Sequence, residues 1–180
     1  MIATHNSVTG ERGYGFLSWL VTPFSMCQSK TLEEQYNAGC RYFDVRYRWS
    51  KKRECFICAH GLWEAKKTLY EVVDELNNIA KRYNEKVYIM LTYEGECNID
   101  EPKEVVLWLK QSHDCVNFTY SYIKKPYWRL VEVIYPIAHV NKYKVLDGSS
   151  WHTYLPIPWL WAKLYPPKLN PDTFNFVDFL

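Results

Sequence analysis

Strand-like and helix-like segments alternate along the first half of this chain, and the alternation constrains the fold more than any other feature. Residues 41–47 alternate with a period of two, as strands do. Residues 68–83 place apolar side chains at helical spacing behind a capping box formed by Thr68 and Glu71. A β-rich run over residues 86–94 follows this helix. Strands that alternate with amphipathic helices predict a parallel sheet with right-handed crossovers.

Other segments extend this pattern. Residues 31–38 predict a helix with Thr31 and Glu34 in capping-box spacing, and Asp100 predicts the cap of a third helix with Pro102 in its first turn. The second half is richer in proline, and residues 151–161, which are dense in aromatics, predict a long ordered loop. The strands predicted there cover residues 116–120, 143–146 and 174–180.

Length and charge set limits on the class of protein. With 180 residues, of which 48% are hydrophobic, the chain predicts one compact domain over residues 1–180. A net charge of +2, from 22 basic and 20 acidic residues, provides no global field for nucleic acid. No stretch approaches the roughly 18 to 20 apolar residues of a membrane span. Because Met1 runs straight into the first strand without a signal peptide, we expect a cytoplasmic protein or one exported by another route.

Titratable side chains recur at the carboxyl ends of the predicted strands. In a parallel barrel these ends form one rim, where active sites of that fold are built. A charge that points into a barrel is costly unless a site uses it. Two histidines, an aspartate and an arginine at one rim predict acid and base chemistry on a phosphate. The residues in question are His5, Asp44, Arg46, His60, Glu94 and Asp178.

Five sequence blocks, in order along the chain, resemble the X-domain core of phosphatidylinositol-specific phospholipase C. The final segment, residues 174–180, is similar to the closing barrel strand of bacterial-type members. The resemblance implies an α/β fold of the TIM-type β/α barrel class, compact and either reduced or distorted, because 180 residues fall below the ~250 typical of the fold. The five blocks are residues 3–7, 31–39, 41–46, 59–61 and 89–94.

The same resemblance implies an activity, that of a phosphoric diester hydrolase or phosphatidylinositol diacylglycerol-lyase. The inositol 2-hydroxyl would attack its own phosphate and expel diacylglycerol, giving a cyclic 1,2-phosphodiester. His5 would be the general base and His60 the general acid, with Arg46 and Asp44 completing the catalytic set. Asp178 matches the aspartate that orients the first histidine in bacterial-type members.

The resemblance is closest to the metal-independent bacterial members, which carry an arginine at the position of Arg46. A guanidinium can hold phosphate oxygens where a cation would otherwise sit, so we expect no cofactor. Asn6 and Glu94 fit the calcium-dependent pattern better, and a residual Ca²⁺ site formed by Asn6, Asp44 and Glu94 stays open as an alternative. Otherwise Asn6 and Glu94 bind substrate, or Glu94 pairs with Arg46.

An apolar stretch over residues 15–24 occupies the place where bacterial-type members carry a lipid-contacting helix. Trp19 is the candidate for contact with a membrane surface, which makes a phospholipid at that surface the expected partner. A second contact would come from the aromatic side chains of the late loop. The alternative of equal weight is that these aromatics close the end of the barrel and stay buried. The late aromatics are Trp151, Tyr154, Trp159 and Trp161.

Two other functions compete with this interpretation. One is a metal-dependent enzyme on the same barrel, of the glycerophosphodiester phosphodiesterase or sphingomyelinase D type. Arg46 argues against it, because the guanidinium would occupy a ligand position. The other is a catalytically silent module that binds lipid or inositol, against which the presence of both histidines weighs.

Overall fold

The structure is a computed structural model that describes residues 2–94, 100–123, 144–147, 158–164, 169 and 173–177. Its strands are β1 (Ile2–Thr4), β2 (Cys40–Ser50), β3 (Cys55–His60), β4 (Trp63–Thr68), β5 (Val87–Glu94), β6 (Val116–Ile123), β7 (Lys144–Asp147) and β8 (Thr173–Val177). Its helices are α1 (Gly15–Ser25), α2 (Leu32–Asn37), α3 (Leu69–Tyr83), α4 (Asp100–Lys110) and α5 (Pro158–Leu164), with a short 3-10 helix at Ser7–Gly10.

Six strands pair side by side in the order β7, β8, β1, β2, β5, β6, and every pairing along this path is parallel. The predicted parallel sheet in a mixed α/β fold is therefore confirmed. Among the strands that the structure describes, no pairing joins β6 to β7, so the sheet is not closed there.

The hairpin of β3 and β4 departs from the parallel pattern. β3 pairs antiparallel with the far end of β2, and β4 pairs antiparallel with β3. The chain reverses after Ser50 through a turn that contains Glu54 in the left-handed conformation, with φ 50°. The expectation that His60 ends a strand parallel to the others was wrong. β3 instead runs back toward the site from the turn after Ser50, and His60 is its last residue.

The two faces of β2 serve different purposes. Phe43, Val45 and Tyr47 join the hydrophobic core that also contains the buried stripe of α3. Asp44 and Arg46 lie on the opposite face, and both are buried, at 2% and 4% exposure. The period-two prediction for this strand is confirmed, and the face opposite the core carries two buried charged side chains, Asp44 and Arg46.

Capping residues fix the helices that cover the core. Thr31 and Glu34 form the predicted capping box of α2, and Thr68 and Glu71 form that of α3. The predicted helix from Asp100 is also present, and the apolar set predicted for it, Val105, Val106 and Leu109, is buried. The capping residues therefore predicted where these helices begin.

The second half contains one further correction. Residues 158–161 belong to α5 and not to the predicted loop, because proline is compatible with the first turn of a helix. The predicted strands at residues 116–120 and 143–146 appear as β6 and β7, and β8 covers the first part of residues 174–180. Trp151, Tyr154 and Asp178 lie outside the described residues. No helix in the described ranges is long and apolar enough to cross a membrane.

Replacement of Thr68 tests the role of the α3 cap. The Thr68 hydroxyl accepts a hydrogen bond from the Glu71 backbone N–H at 3.3 Å. Thr68→Ala should lower the free energy of unfolding by about 1 kcal/mol in denaturant titrations, since it removes the cap. Thr68→Ser keeps the hydroxyl and should stay close to the native chain. Equal stability of Thr68→Ala and the native chain would contradict this role.

Candidate active site

His5 and Asn6 follow directly after β1 and lie beside the charged face of β2. The register pairs Thr4 with Phe43, which sets His5 beside Asp44. Asn6 adopts the left-handed conformation, with φ 44° and ψ 52°, and ends the strand. Its backbone N–H donates to Asp44 Oδ2 at 3.1 Å. Asparagine tolerates this conformation better than most residues, and the turn directs its side chain back over the site.

His5 is buried, and its Nε2 lies 2.6 Å from Arg46 Nη2. The Asn6 amide nitrogen is 3.2 Å from the same atom. A guanidinium can only donate, so Nε2 accepts, and a neutral His5 ring carries its proton on Nδ1. The lone pair of Nε2 therefore points at the centre of the charged cluster.

Arg46 is the centre of that cluster. Its Nη1 lies 3.3 Å from Glu94 Oε1, and its Nε lies 3.6 Å from Asp44 Oδ2. Burial acts to lower the pKa of Arg46, but the charges of Asp44 and Glu94 outweigh it and hold the pKa above its ordinary value. The guanidinium is thus a fixed positive charge away from solvent.

Asp44 has the opposite balance. Burial raises the pKa of its carboxyl above the ordinary value, and Arg46 and the Asn6 N–H oppose that rise without cancelling it. Asp44 Oδ1, Asn6 Oδ1 and Arg46 Nε are buried and have no hydrogen-bond partner among the described residues. Such atoms are what a polar ligand with hydroxyl and phosphate groups would satisfy.

The second histidine is held by the last residue of α1. His60 Nδ1 lies 2.8 Å from the Ser25 carbonyl oxygen. A carbonyl can only accept, so Nδ1 carries a proton, and the second proton of a charged His60 ring sits on Nε2. The Asn6 amide nitrogen lies 3.4 Å from Nδ1 and 3.3 Å from Nε2 of the same ring.

The two imidazole rings face a common space. Their centroids are 6.4 Å apart, and their planes meet at 72°. Glu94 Oε2 accepts the Gly61 N–H at 3.0 Å and ties the turn after His60 to the end of β5. The arrangement offers one imidazole that accepts a proton, a second that can donate a proton, and a guanidinium bonded to the first. It is suited to proton transfer at the two sides of a phosphate ester.

The structure brings together six of the residues predicted from the sequence: His5, Asn6, Asp44, Arg46, His60 and Glu94. Trp19 is apart from their hydrogen bonds and is 68% exposed on α1. Asp178 falls outside the described part of the chain, one position after β8.

Sequence reasoning missed two supports of the site. One is the Ser25 carbonyl, because a backbone acceptor leaves no signal in a sequence. The other is Gln28, which is fully buried. Its Nε2 donates to the backbone oxygens of His5 at 3.2 Å and Val177 at 2.9 Å, and so joins β1 to β8. A lone glutamine in a polar segment carries no periodicity from which this role could be predicted.

The geometry also bears on the calcium alternative. Arg46 contacts both carboxylates that such a site would need, Asp44 and Glu94. Over the described ranges, no group of three or more His, Cys, Asp and Glu side chains is arranged to hold a metal ion. The orphaned oxygens of Asn6 and Asp44 thus adjoin a guanidinium that already supplies positive charge.

A sequence model of the phosphatidylinositol-specific phospholipase C X domain matches residues 18–123, more than half of the chain. No curated protein matches the sequence. The solved phosphatidylinositol-specific phospholipase C from Listeria monocytogenes is 14% identical, with a TM-score of 0.61 over 99% of this chain and 87% of that one. A variant of the enzyme from Staphylococcus aureus is also 14% identical, with a TM-score of 0.64 over 99% and 84%. At this identity the likeness establishes a shared fold.

Proposed function

The chain belongs to the phosphatidylinositol-specific phospholipase C X-domain family, and from this premise we propose that it cleaves the glycerol–phosphate ester of a phosphoinositide. The observation that carries the proposal is that the His5 and His60 rings face each other with centroids 6.4 Å apart, while Arg46 bonds to His5. The class of the activity is that of a phosphoric diester hydrolase of lipid metabolism. The open parallel sheet would be part of a TIM-type β/α barrel, which the parallel strand order and the solved relatives support.

The first step uses the two histidines in opposite roles. His5 Nε2 removes the proton of the inositol 2-hydroxyl, whose oxygen forms a bond to phosphorus. The bond from phosphorus to the glycerol oxygen breaks, and His60 Nε2–H protonates that oxygen. The products are diacylglycerol and an inositol 1,2-cyclic phosphate. In a second step the roles reverse, and water opens the ring.

Arg46 has to change partner for this to happen. Without substrate it donates to His5 Nε2, the atom that must receive the hydroxyl proton. A bound phosphate would draw the guanidinium toward its oxygens and leave Nε2 to the 2-hydroxyl. The positive charge then stabilises the negative charge that develops on the phosphate in the transition state.

The remaining polar residues hold or orient these groups. Asp44 fixes Arg46 and the backbone of Asn6, and its buried Oδ1 and the Oδ1 of Asn6 are acceptors for inositol hydroxyls. Glu94 holds Arg46 and the turn after His60. The Val177 carbonyl accepts a hydrogen bond from the His5 backbone N–H at 3.0 Å. Asp178 is the next residue, and we propose that its carboxylate orients the His5 ring through Nδ1.

The helix α1 supports action at a lipid surface. Its two buried residues are Ser18 and Ser25, which are polar, while its large apolar side chains are exposed. A helix of a soluble protein normally shows the reverse distribution. We propose that these exposed side chains insert into the lipid interface, and we call them the apolar face. The apolar face consists of Phe16, Leu17, Trp19, Leu20 and Phe24, at 54–74% exposure. Trp159 on α5, which packs against α1, is 41% exposed. The alternative that the aromatics of this segment stay buried was wrong for α1.

Phosphorus NMR of phosphatidylinositol in detergent micelles tests the mechanism. The native chain should yield a cyclic inositol phosphate as its first product. His5→Ala and His60→Ala should each slow its formation by at least about 100-fold, since each removes one proton-transfer group. His113→Ala is the control, because this histidine lies outside the site and bonds to the Leu109 carbonyl. It should retain turnover per folded molecule. No product from the native chain, or a native rate in either site variant, would refute the mechanism.

Chelation separates this proposal from a metal-dependent phosphodiesterase. Activity should persist in EDTA and should not rise when calcium is added, since Arg46 supplies the positive charge at the phosphate. The same micelle assay measures both. Complete loss of activity in EDTA with recovery in calcium would overturn the metal-free proposal and favour the rival.

A further inference from the structure

A group of five cationic side chains borders the apolar face of α1. Lys51, Lys52 and Arg53 occupy the turn between β2 and β3, Arg12 precedes α1, and Lys66 lies on β4. We call this group the basic collar. Four of its members are exposed, and Arg53 is half-buried. Across the described residues, none of the five forms an ion pair.

Tyr14, the residue before α1, holds the collar to the helix. The Arg53 guanidinium lies 4.7 Å from the centroid of the Tyr14 ring, and Lys52 Nζ lies 5.5 Å from it. Arg53 donates to the carbonyl oxygens of Ala65 and Lys66, both at 2.8 Å. These acceptors are neutral, so they fix the guanidinium without cancelling its charge. Arg53 is thus a fixed positive charge within the collar, beside the residue from which α1 begins.

Neighbouring acids offset only part of the charge of the collar. Glu11, next to Arg12, pairs with Lys67 at 2.8 Å, and Glu64 pairs with Arg48 at 3.0 Å. Glu54 is the exposed acid within the turn itself. Since the whole chain has a net charge of only +2, the collar is a local concentration of charge and does not reflect a basic protein.

The collar also lies on the side of the sheet where the candidate site opens. β2 continues four residues past Arg46 to Ser50, which is about 13 Å at ~3.3 Å per residue. The turn that follows therefore projects beyond the site in the direction of the carboxyl ends of the parallel strands. Apolar side chains with a cationic border at this edge match a lipid surface with negative headgroups.

We propose that the apolar face and the basic collar together form a docking surface for anionic lipid membranes. The proposal rests on the proposed function in one respect, that the site edge faces a membrane. It adds the charge class of that membrane. The apolar face would supply insertion into any bilayer, and the collar would supply the preference for anionic headgroups.

Vesicles without inositol lipids test this preference apart from cleavage. Sedimentation should show stronger binding to phosphatidylcholine vesicles that contain phosphatidylserine than to phosphatidylcholine alone, with salt removing the difference. The double variant Lys51→Glu/Lys52→Glu should bind the serine-containing vesicles at least about 25-fold less, because each lysine near such a surface contributes a factor of about five. Trp19→Ala should weaken binding to both kinds of vesicle.

The matched control is Lys86→Glu/Lys110→Glu, which changes the net charge equally. Lys86 precedes β5 and Lys110 ends α4, so both exposed lysines lie at the opposite end of the sheet. This variant should bind almost as the native chain does. The inference would be overturned if the native chain bound vesicles with and without phosphatidylserine equally. It would also be overturned if the collar variant bound as the native chain does, or if the control variant lost as much binding as the collar variant. If the chain cleaves phosphatidylinositol in micelles but binds both kinds of vesicle equally, the inference alone is refuted. If it binds the serine-containing vesicles more strongly but cleaves no phosphatidylinositol, the proposed function alone is refuted.

Discussion

The contact of one buried arginine with two buried carboxylates organises the whole site. A guanidinium away from water is very costly unless opposite charges and hydrogen bonds accompany it. Arg46 meets this condition through Asp44 on its own strand and Glu94 on the neighbouring strand. Each carboxylate has a second task, because Asp44 holds the Asn6 backbone and Glu94 holds the Gly61 backbone. Both histidine-bearing segments are therefore fixed by the groups that compensate Arg46.

The helix that faces outward is part of the same construction. Ser25 ends α1, and its carbonyl oxygen accepts the His60 Nδ1 proton. Ser18, one of its buried serines, accepts the Glu64 N–H at 2.9 Å and fastens the helix to β4. The inner side of α1 is thus polar because it bonds to the site and to the hairpin, and its outer side is apolar. The helix that carries the surface proposed to meet lipid therefore also holds the proposed general acid, through the carbonyl of its last residue.

Much of the fold could be predicted from local chemistry. The Thr68 and Glu71 capping box and the period of two along β2 are written in neighbouring residues, so they predicted the helix and the buried face of charge. The β3–β4 hairpin could not be predicted in the same way. The run that ends at His60 alternates identically in either direction, and β4, with two lysines and a glutamate in six residues, lacks the composition of a strand. Pairing direction is decided by contacts with β2 that are distant in sequence.

The sequence predicted which residues form the site, but it did not predict the hydrogen bonds between them. Strand ends identified His5, Arg46 and His60, whereas their partners depend on backbone atoms and on a turn. Neither the Ser25 carbonyl nor the present bond from Arg46 to His5 has a sequence signal. That bond is the contact that places the positive charge of Arg46 beside His5, the proposed general base.

Arg46 is proposed to take the place of a metal ion, and steady-state kinetics of Arg46 variants in EDTA test this role. Arg46→Lys keeps a buried positive charge but loses the two-pronged geometry, and Arg46→Met of similar length loses both, with folding of each checked by thermal unfolding. On phosphatidylinositol micelles, the account predicts that Arg46→Met lowers kcat by about 100-fold or more, that Arg46→Lys falls between, and that calcium restores neither. A folded Arg46→Met protein with the native kcat, or one rescued by calcium, would contradict it.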